Sequence, residues 1–103
     1  MELFTEEDKK KLTEFYLYFE SLKEGNQRRK LIEESHELTE ELLLFDSGIG
    51  SIEDIIKEIA DILIVIFEHV YALDIEEQEL RDAIIEKMTR TDFRKTIKYY
   101  EKL

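Results

Sequence analysis

Residues 52–72 read IEDIIKEIADILIVIFEHVYA, and this stretch decides the fold. Its middle, 62–67, is an unbroken apolar run, and the apolar residues before it recur every three or four positions, as on one helix face. The β-branched residues of the run are also common in strands, but the flanking spacing favours a helix. Because apolar side chains occupy all sides of this helix, we expect other helices to surround it.

The rest of the chain predicts further helices. It contains no proline and only three glycines, while Glu, Lys, Leu and Ile are abundant, so helix breakers are rare. Thr5, Ser51 and Asp74 each precede an acid by three residues, a pattern typical of helix starts. Asn26 and Thr91 mark two more starts. We expect helices over 5–23 (ended by Gly25), 27–45, 51–72, 74–89 and 91–100, with a glycine-containing turn at 46–50.

The length of 103 residues indicates a single domain over 1–103, because a core this small cannot be divided and still stabilise two units. The expected architecture is all-α, with four to five helices in one bundle. One small bundle can hardly cover the apolar run at 62–67 on all sides. We therefore expect a homodimer or homotetramer to complete the bundle.

Charge and composition disfavour several classes of function. The net charge of −11 repels nucleic-acid backbones and anionic lipid surfaces. The chain has no cysteine, so it forms neither disulfides nor thiolate metal sites. Residues 1–11 lack the apolar stretch of a signal peptide, and the run at 62–67 is short for a membrane span. The expected location is the cytoplasm.

Two acidic motifs carry the functional information. Residues 33–37 (EESHE) fall on the second predicted helix, and residues 58–61 (EIAD) fall on the third. A short turn joins these helices, so we expect an antiparallel hairpin that brings the motifs together. The spacing of three puts Glu34 with Glu37, and Glu58 with Asp61, on common helix faces. Four carboxylates are therefore expected to converge, although such pairs also occur on surface helices of acidic proteins.

Asp61 is the unusual member of this set. Ala60 precedes it, six apolar residues follow it, and no Lys or Arg lies between Glu58 and His69. An ionised carboxylate in buried, apolar surroundings is costly unless it is paired or bound to metal. We therefore expect a divalent cation at the four carboxylates. Oxygen ligands without cysteine favour Mg²⁺, Mn²⁺ or Ca²⁺, and Mg²⁺ is the usual choice where substrate phosphates complete the coordination.

Together the two motifs resemble the signature of the MazG-like all-α nucleoside triphosphate pyrophosphohydrolases, EExxE followed by ExxD. The flanking residues 30–32 (KLI) and 62–63 (IL) are similar too, and the resemblance covers about residues 27–90. It implies a MazG-like bundle completed by a second subunit, with Mg²⁺, or Mn²⁺ in its place, between enzyme and triphosphate. The implied reaction converts a ribo- or deoxynucleoside triphosphate to monophosphate and pyrophosphate by water attack at a metal-bound phosphate.

The resemblance also implies roles for single residues. The metal ligands would be Glu34, Glu37, Glu58 and Asp61. Glu33 would bind a further metal or orient the attacking water, which makes Glu33 and Glu34 the candidate catalytic residues. Lys87 and Arg90 match the spacing of phosphate-binding cations after ExxD, and Lys30 is a third candidate. Ile84 stands where the family pattern predicts an asparagine, and all three cations also fit as solvated surface charges.

Aromatic and histidine side chains have simpler interpretations. Phe15, Tyr16 and Phe19 would stack on a nucleobase if the first helix covers the site, but their spacing favours an ordinary core face. His36 and His69 are interpreted as partly exposed helix residues and not as catalytic bases.

Two other classes of protein compete with the hydrolase. A ferritin-like di-iron site needs the Glu-x-x-His pattern from two helices, and only Glu33 with His36 supplies it, since Ile66 precedes His69 by three. The second alternative is a non-enzymatic acidic helical module that binds or inhibits a basic partner. Stabilisation by Mg²⁺ would favour the enzyme over this module.

Overall fold

A computed structural model of the chain describes residues 3–22, 27–89 and 91–102. They form five helices: α1 (Glu6–Ser21), α2 (Gln27–Asp46), α3 (Ile52–Ala72), α4 (Glu77–Thr89) and α5 (Thr91–Glu101). Those three ranges contain no strand, which confirms the all-α prediction and the helical interpretation of 62–67. Within the same ranges, no helix combines the length and apolar character needed to cross a membrane.

Polar side chains cap two helix starts as the sequence predicts. The Thr5 hydroxyl accepts from the backbone N–H of Asp8, and the Asp8 carboxylate accepts from that of Thr5, both at 3.1 Å. Ser51 accepts from the backbone N–H of Asp54 at 3.1 Å. Both pairs satisfy N–H groups that a helix start leaves free. The expected roles of Gly25 and Asn26 lie outside the described residues.

Helix α2 ends at a residue with left-handed backbone. Gly48 has φ 80°, its N–H donates to the carbonyl of Phe45 at 3.0 Å, and the N–H of Ile49 donates to that of Leu44 at 3.0 Å. This pair of bonds defines a Schellman cap, in which glycine adopts positive φ without steric cost. The chain thereby reverses after α2 and enters α3.

Helix α3 ends in the same way, at Asp74. Asp74 has φ 56°, its N–H donates to Tyr71 at 3.2 Å, and the N–H of Ile75 donates to Val70 at 2.9 Å. The prediction that Asp74 caps the start of α4 is therefore wrong, because α4 begins at Glu77. Asp74 instead ends α3, since a short polar side chain tolerates the left-handed region.

The core lies where α1 and α2 pack against α3, while α5 packs against α4. Among the described residues, the buried apolar side chains of this core are those of Leu12, Ile55, Val65 and Val70. The opposite side of α3 is open, and its exposed apolar residues follow one another at intervals of four and three. This exposed α3 stripe comprises Ile52, Ile56, Ile59, Leu63 and Ile66. The prediction that helices surround α3 therefore holds on one side only within the single chain.

Candidate metal centre

The hairpin of α2 and α3 brings the four predicted ligands together. Each carboxylate of Glu34, Glu37, Glu58 and Asp61 offers an oxygen, and these oxygens all lie within 4.8 Å of one another. The antiparallel packing explains this convergence, because it sets the face of the first motif against the face of the second. We call these four residues the carboxylate cluster.

Burial differs within the carboxylate cluster. Glu34 and Glu58 are half-buried, and Oε2 of each is shielded from solvent without a hydrogen-bond partner. Glu37 and Asp61 are exposed. The expectation that Asp61 is buried is therefore wrong for the single chain, because α1 and α2 cover only one side of α3. The buried carboxylate oxygens without a partner therefore belong to Glu34 and Glu58, and not to Asp61.

Electrostatics within the carboxylate cluster are repulsive. Burial of its oxygens, followed by the negative charges of Glu37 and Asp61, raises the pKa of Glu34 above its ordinary value. The same causes in the same order raise the pKa of Glu58. Like charges at short distance disfavour ionisation unless a cation compensates them. A cation bound at the carboxylate cluster would offset this repulsion and favour the ionised form of all four groups.

The geometry fits one small divalent cation. Mg²⁺ binds oxygens at about 2.0–2.1 Å in octahedral geometry, so opposite ligands lie about 4.2 Å apart. The 4.8 Å span of the four oxygens is within a small side-chain adjustment of that value. The all-oxygen donor set is also the one that Mg²⁺ prefers over softer metals. The residues present therefore fit Mg²⁺, and Mn²⁺ accepts the same set.

The predicted cationic and catalytic residues are less closely grouped. Glu33 is exposed outside the carboxylate cluster, with Oε1 3.6 Å from Nε of Arg29. Lys30 turns away toward α1 and α3. Its Nζ lies 3.8 Å from the ring centroid of Phe19 and 4.0 Å from Oε1 of Glu68.

The other two predicted phosphate ligands follow α3 in the sequence. Lys87 is exposed in the last turn of α4, which packs mainly against α5, and the structure does not join it to the carboxylate cluster. Arg90 lies outside the described residues. Ile84, which replaces the asparagine of the family pattern, is exposed on α4.

Aromatic residues of α1 are divided between core and surface. Phe15 is exposed, whereas Tyr16 and Phe19 are half-buried. The ring of Tyr16 meets that of His69 edge to face, with centroids 5.2 Å apart. His69 is fixed further by Nδ1, which lies 2.8 Å from the carbonyl oxygen of Val65. His36 is exposed, so neither histidine adds a ligand to the carboxylate cluster.

Sequence reasoning missed two buried polar residues beside the site. Gln27 and Glu68 are both 0% exposed and lie together at the start of α2 and the end of α3. A signal was present: Gln27 precedes Glu34 by seven residues and Glu68 follows Asp61 by seven. A spacing of seven is two helical turns, so each residue shares a face with a predicted ligand.

The chain matches no protein-family model, and no curated protein or solved structure is significantly similar to it.

Proposed function

We propose that this chain is a Mg²⁺-dependent nucleoside triphosphate pyrophosphohydrolase that converts a ribo- or deoxynucleoside triphosphate to monophosphate and pyrophosphate. The observation that supports it best is the convergence of four carboxylate oxygens within 4.8 Å. Their sequence motifs resemble those of the MazG-like enzymes, and the helix hairpin brings the two motifs together.

Each residue of the site has a defined part in this proposal. Glu34, Glu37, Glu58 and Asp61 would hold the ion, which would supply positive charge to the triphosphate and lower the pKa of a bound water. Glu33 lies next to Glu34 and is solvent-accessible, so it is suited to orienting the attacking water. Lys30, Lys87 and Arg90 are the proposed phosphate-binding cations. With a net charge of −11, the chain needs such local positive charge to accept a polyanion.

The proposed enzyme is a homodimer or homotetramer of a single-domain, MazG-like chain in the cytoplasm. The exposed α3 stripe supports self-association, since its spacing of four and three is that of a helix-packing seam. The accessible surface of 8600 Å² exceeds the value of about 6,100 Å² expected for a monomer of this mass. The excess is larger than the roughly 800 Å² that each partner buries in a standard interface.

A non-enzymatic acidic module is the second candidate function. It is favoured by the exposure of Glu37 and Asp61, which leaves both carboxylates accessible to a basic protein. Such a module would bind its partner without a divalent ion. An enzyme whose carboxylate cluster binds Mg²⁺ would instead gain thermal stability when the ion is added.

Product identity tests the proposed function. Each ribo- and deoxynucleoside triphosphate is incubated with the protein and Mg²⁺, with Mn²⁺, or with a chelator, and the products are separated by ion-exchange chromatography. The proposal predicts monophosphate and pyrophosphate in equal amounts, lost when the metal is chelated. Diphosphate and inorganic phosphate as products would show that a different bond is cleaved, and no turnover of any nucleotide would favour the acidic module.

A further inference from the structure

Gln27 and Glu68 form a buried polar pair that the hydrolysis mechanism does not use. Both are 0% exposed, and with Val65 they are the largest fully buried side chains of the described residues. Four of their atoms, Nε2 and Oε1 of Gln27 and Oε1 and Oε2 of Glu68, make no hydrogen bond of ordinary geometry. The Gln27 amide nevertheless lies close enough to the Glu68 carboxylate to oppose the rise of its pKa. Buried polar groups without partners are rare and costly, and a bound group is one way to satisfy them.

The pair lies in line with the carboxylate cluster. Gln27 shares a face of α2 with Glu34, and Glu68 shares a face of α3 with Asp61, in both cases seven residues away. Seven residues correspond to about 10.5 Å along a helix axis. This separation matches the reach of a nucleotide from its phosphates to the pairing edge of its base. A nucleotide whose phosphates lie at the carboxylate cluster can therefore direct its base toward Gln27 and Glu68.

Lys30 lies beside the pair, and its side chain is the one that would move when a nucleotide binds. It lies one turn from Gln27 and one turn from Glu34, so its Nζ can reach either end of the site. In the structure its Nζ lies 4.0 Å from Oε1 of Glu68, beside the ring of Phe19. Its side chain is 27% exposed, whereas that of Glu68 is 1% exposed. A triphosphate at the carboxylate cluster would attract Lys30 away from Glu68.

We propose that Gln27 and Glu68 recognise the base of the substrate and that the base is guanine, with Lys30 moving from Glu68 to the phosphates as the nucleotide binds. The proposal rests on the proposed function, because it takes the carboxylate cluster as the phosphate end of the site. The ring of Phe19 lies beside Lys30 and provides an apolar surface for the base.

The unpartnered atoms match the pairing edge of guanine. Guanine presents two adjacent N–H donors, on N1 and on the exocyclic amino group, beside the O6 acceptor. The two oxygens of Glu68 accept from the donors, and Nε2 of Gln27 donates to O6. Other bases do not present two adjacent donors on this edge. The two N–H groups would donate hydrogen bonds to the buried carboxylate of Glu68 once the ammonium of Lys30 has moved away.

A metal ion is a poorer occupant of the same place. The Nζ of Lys30, 4.0 Å from Glu68, repels a cation, and only three of the four free atoms are acceptors. The free Nε2 of Gln27 is a donor, which a cation cannot use. A neutral group that carries two donors and an acceptor uses three of the four atoms: both oxygens of Glu68 and Nε2 of Gln27.

Guanosine and inosine triphosphates provide the sharpest test, because they differ only by the exocyclic amino group that Glu68 would bind. We predict that kcat/KM in Mg²⁺ is at least about tenfold higher for the guanosine nucleotide, as expected for a hydrogen bond to a buried charge. Glu68→Gln should bring this ratio to about one. Gln27→Leu should lower both values and leave the ratio unchanged, since both bases carry O6. Glu53→Gln, the same charge change on the exposed start of α3, should alter neither.

Nucleotide binding measured without hydrolysis distinguishes the base-recognition proposal from the hydrolase proposal. Dissociation constants of both nucleotides are measured by calorimetry with Ca²⁺ in place of Mg²⁺, for the wild type and for Glu68→Gln. A wild-type preference near one, or a preference kept in Glu68→Gln, would overturn the base-recognition proposal while leaving hydrolysis intact. A guanosine preference without pyrophosphate release in Mg²⁺ would support base recognition and overturn the hydrolase. Failure of the wild type to bind any nucleotide would overturn both.

Discussion

At the scale of single residues, the site is a concentration of negative charge that the protein alone does not balance. Glu37 is the charged neighbour that contributes most to raising the pKa of both Glu34 and Glu58, after the effect of burial. The free protein therefore bears a repulsion that a bound cation would convert into attraction. Substitution of a single carboxylate should therefore change how strongly Mg²⁺ stabilises the protein.

Glu37→Gln should change both the stability of the metal-free protein and its stabilisation by Mg²⁺. Without metal, the variant should be more stable than the wild type, because one of four crowded negative charges is removed. With millimolar Mg²⁺, the wild type should gain thermal stability and the variant should gain little, because a ligand is missing. Thermal unfolding with and without Mg²⁺ measures both effects. Glu53→Gln is the matched control, and an equal response of Glu37→Gln and wild type to Mg²⁺ would exclude Glu37 as a ligand.

Glu68 predicts a pH dependence of stability. Burial raises the pKa of Glu68, while Lys30, Gln27 and His69 oppose that shift. Because the folded state binds this proton more tightly than the unfolded chain, Glu68 favours folding at low pH. Its contribution is lost as the pH rises from the unfolded value near 4.5 through the raised folded pKa.

Glu68→Gln should remove this pH dependence and increase the free energy of unfolding at neutral pH, since no buried carboxylate then needs to ionise. Urea denaturation of the wild type and the variant between pH 4.5 and 7.5 measures the difference. A stability difference that stays constant with pH would contradict the assignment of the proton to Glu68.

The sequence predicted the members of the carboxylate cluster but not their burial. Spacing alone put Glu34 with Glu37 and Glu58 with Asp61, because helix geometry is local. Burial depends on which helices cross above a residue, which is why Asp61 proved exposed. Glu68 was missed for the same reason, since its environment is set by Gln27 and Lys30 of α2, about forty residues away in the chain.

At the scale of elements, the turn between α2 and α3 sets the register that brings the two motifs together. Gly48 ends α2 with positive φ, and a Cβ added to Gly50 would lie 2.9 Å from the backbone nitrogen of Phe45. Side chains at either position therefore strain or displace the backbone. The metal site should depend on this turn although none of its residues is a ligand.

Gly48→Ala should destabilise the protein by about 1 kcal/mol, because alanine rarely adopts the left-handed conformation. Gly50→Ala should cost at least as much and should also weaken Mg²⁺ binding, since the backbone of α2 and the start of α3 must separate. Urea denaturation and Mg²⁺ titration measure the two effects. Thr39→Ala, an exposed change within α2, is the control. Unchanged stability of both glycine variants would contradict the described turn.

The helices themselves were largely predictable, since caps, glycines and apolar spacing are local signals. The error at Asp74 shows the limit of such signals. A short acidic residue before an acid fits a helix start, but it fits a left-handed helix end equally well. The bond from Ile75 to Val70 decides between them, and no pattern in the sequence specifies it.

At the scale of the whole molecule, the single chain is open. Its radius of gyration is 16.5 Å, compared with about 13 Å for a compact domain of this length. The exposed α3 stripe runs along the element that carries Glu58 and Asp61. The apolar sequence of α3 predicted that it packs against further helices. It did not predict how many chains associate or how they are arranged, because that depends on which exposed surfaces bind each other most strongly.

Ile56→Glu should dissociate the proposed oligomer, because it places a charge at a stripe position that is 59% exposed in the single chain. Light scattering after size exclusion should give twice or four times the chain mass of 12.4 kDa for the wild type, and a smaller mass for the variant. Leu17→Glu, an equally exposed apolar position on α1, should leave the mass unchanged. A wild-type monomer at micromolar concentration would contradict self-association.

The most direct test of the central claim is pyrophosphate release as a function of Mg²⁺ concentration, for the wild type beside Asp61→Asn, with both proteins shown to be helical by circular dichroism. Loss of one ligand charge should reduce release by about a hundredfold or more at any Mg²⁺ concentration, in line with the sensitivity of metal sites to their ligands. We expect saturable, Mg²⁺-dependent pyrophosphate release by the wild type and almost none by Asp61→Asn. Near-normal release by Asp61→Asn, or release by the wild type in the presence of chelator, would contradict it.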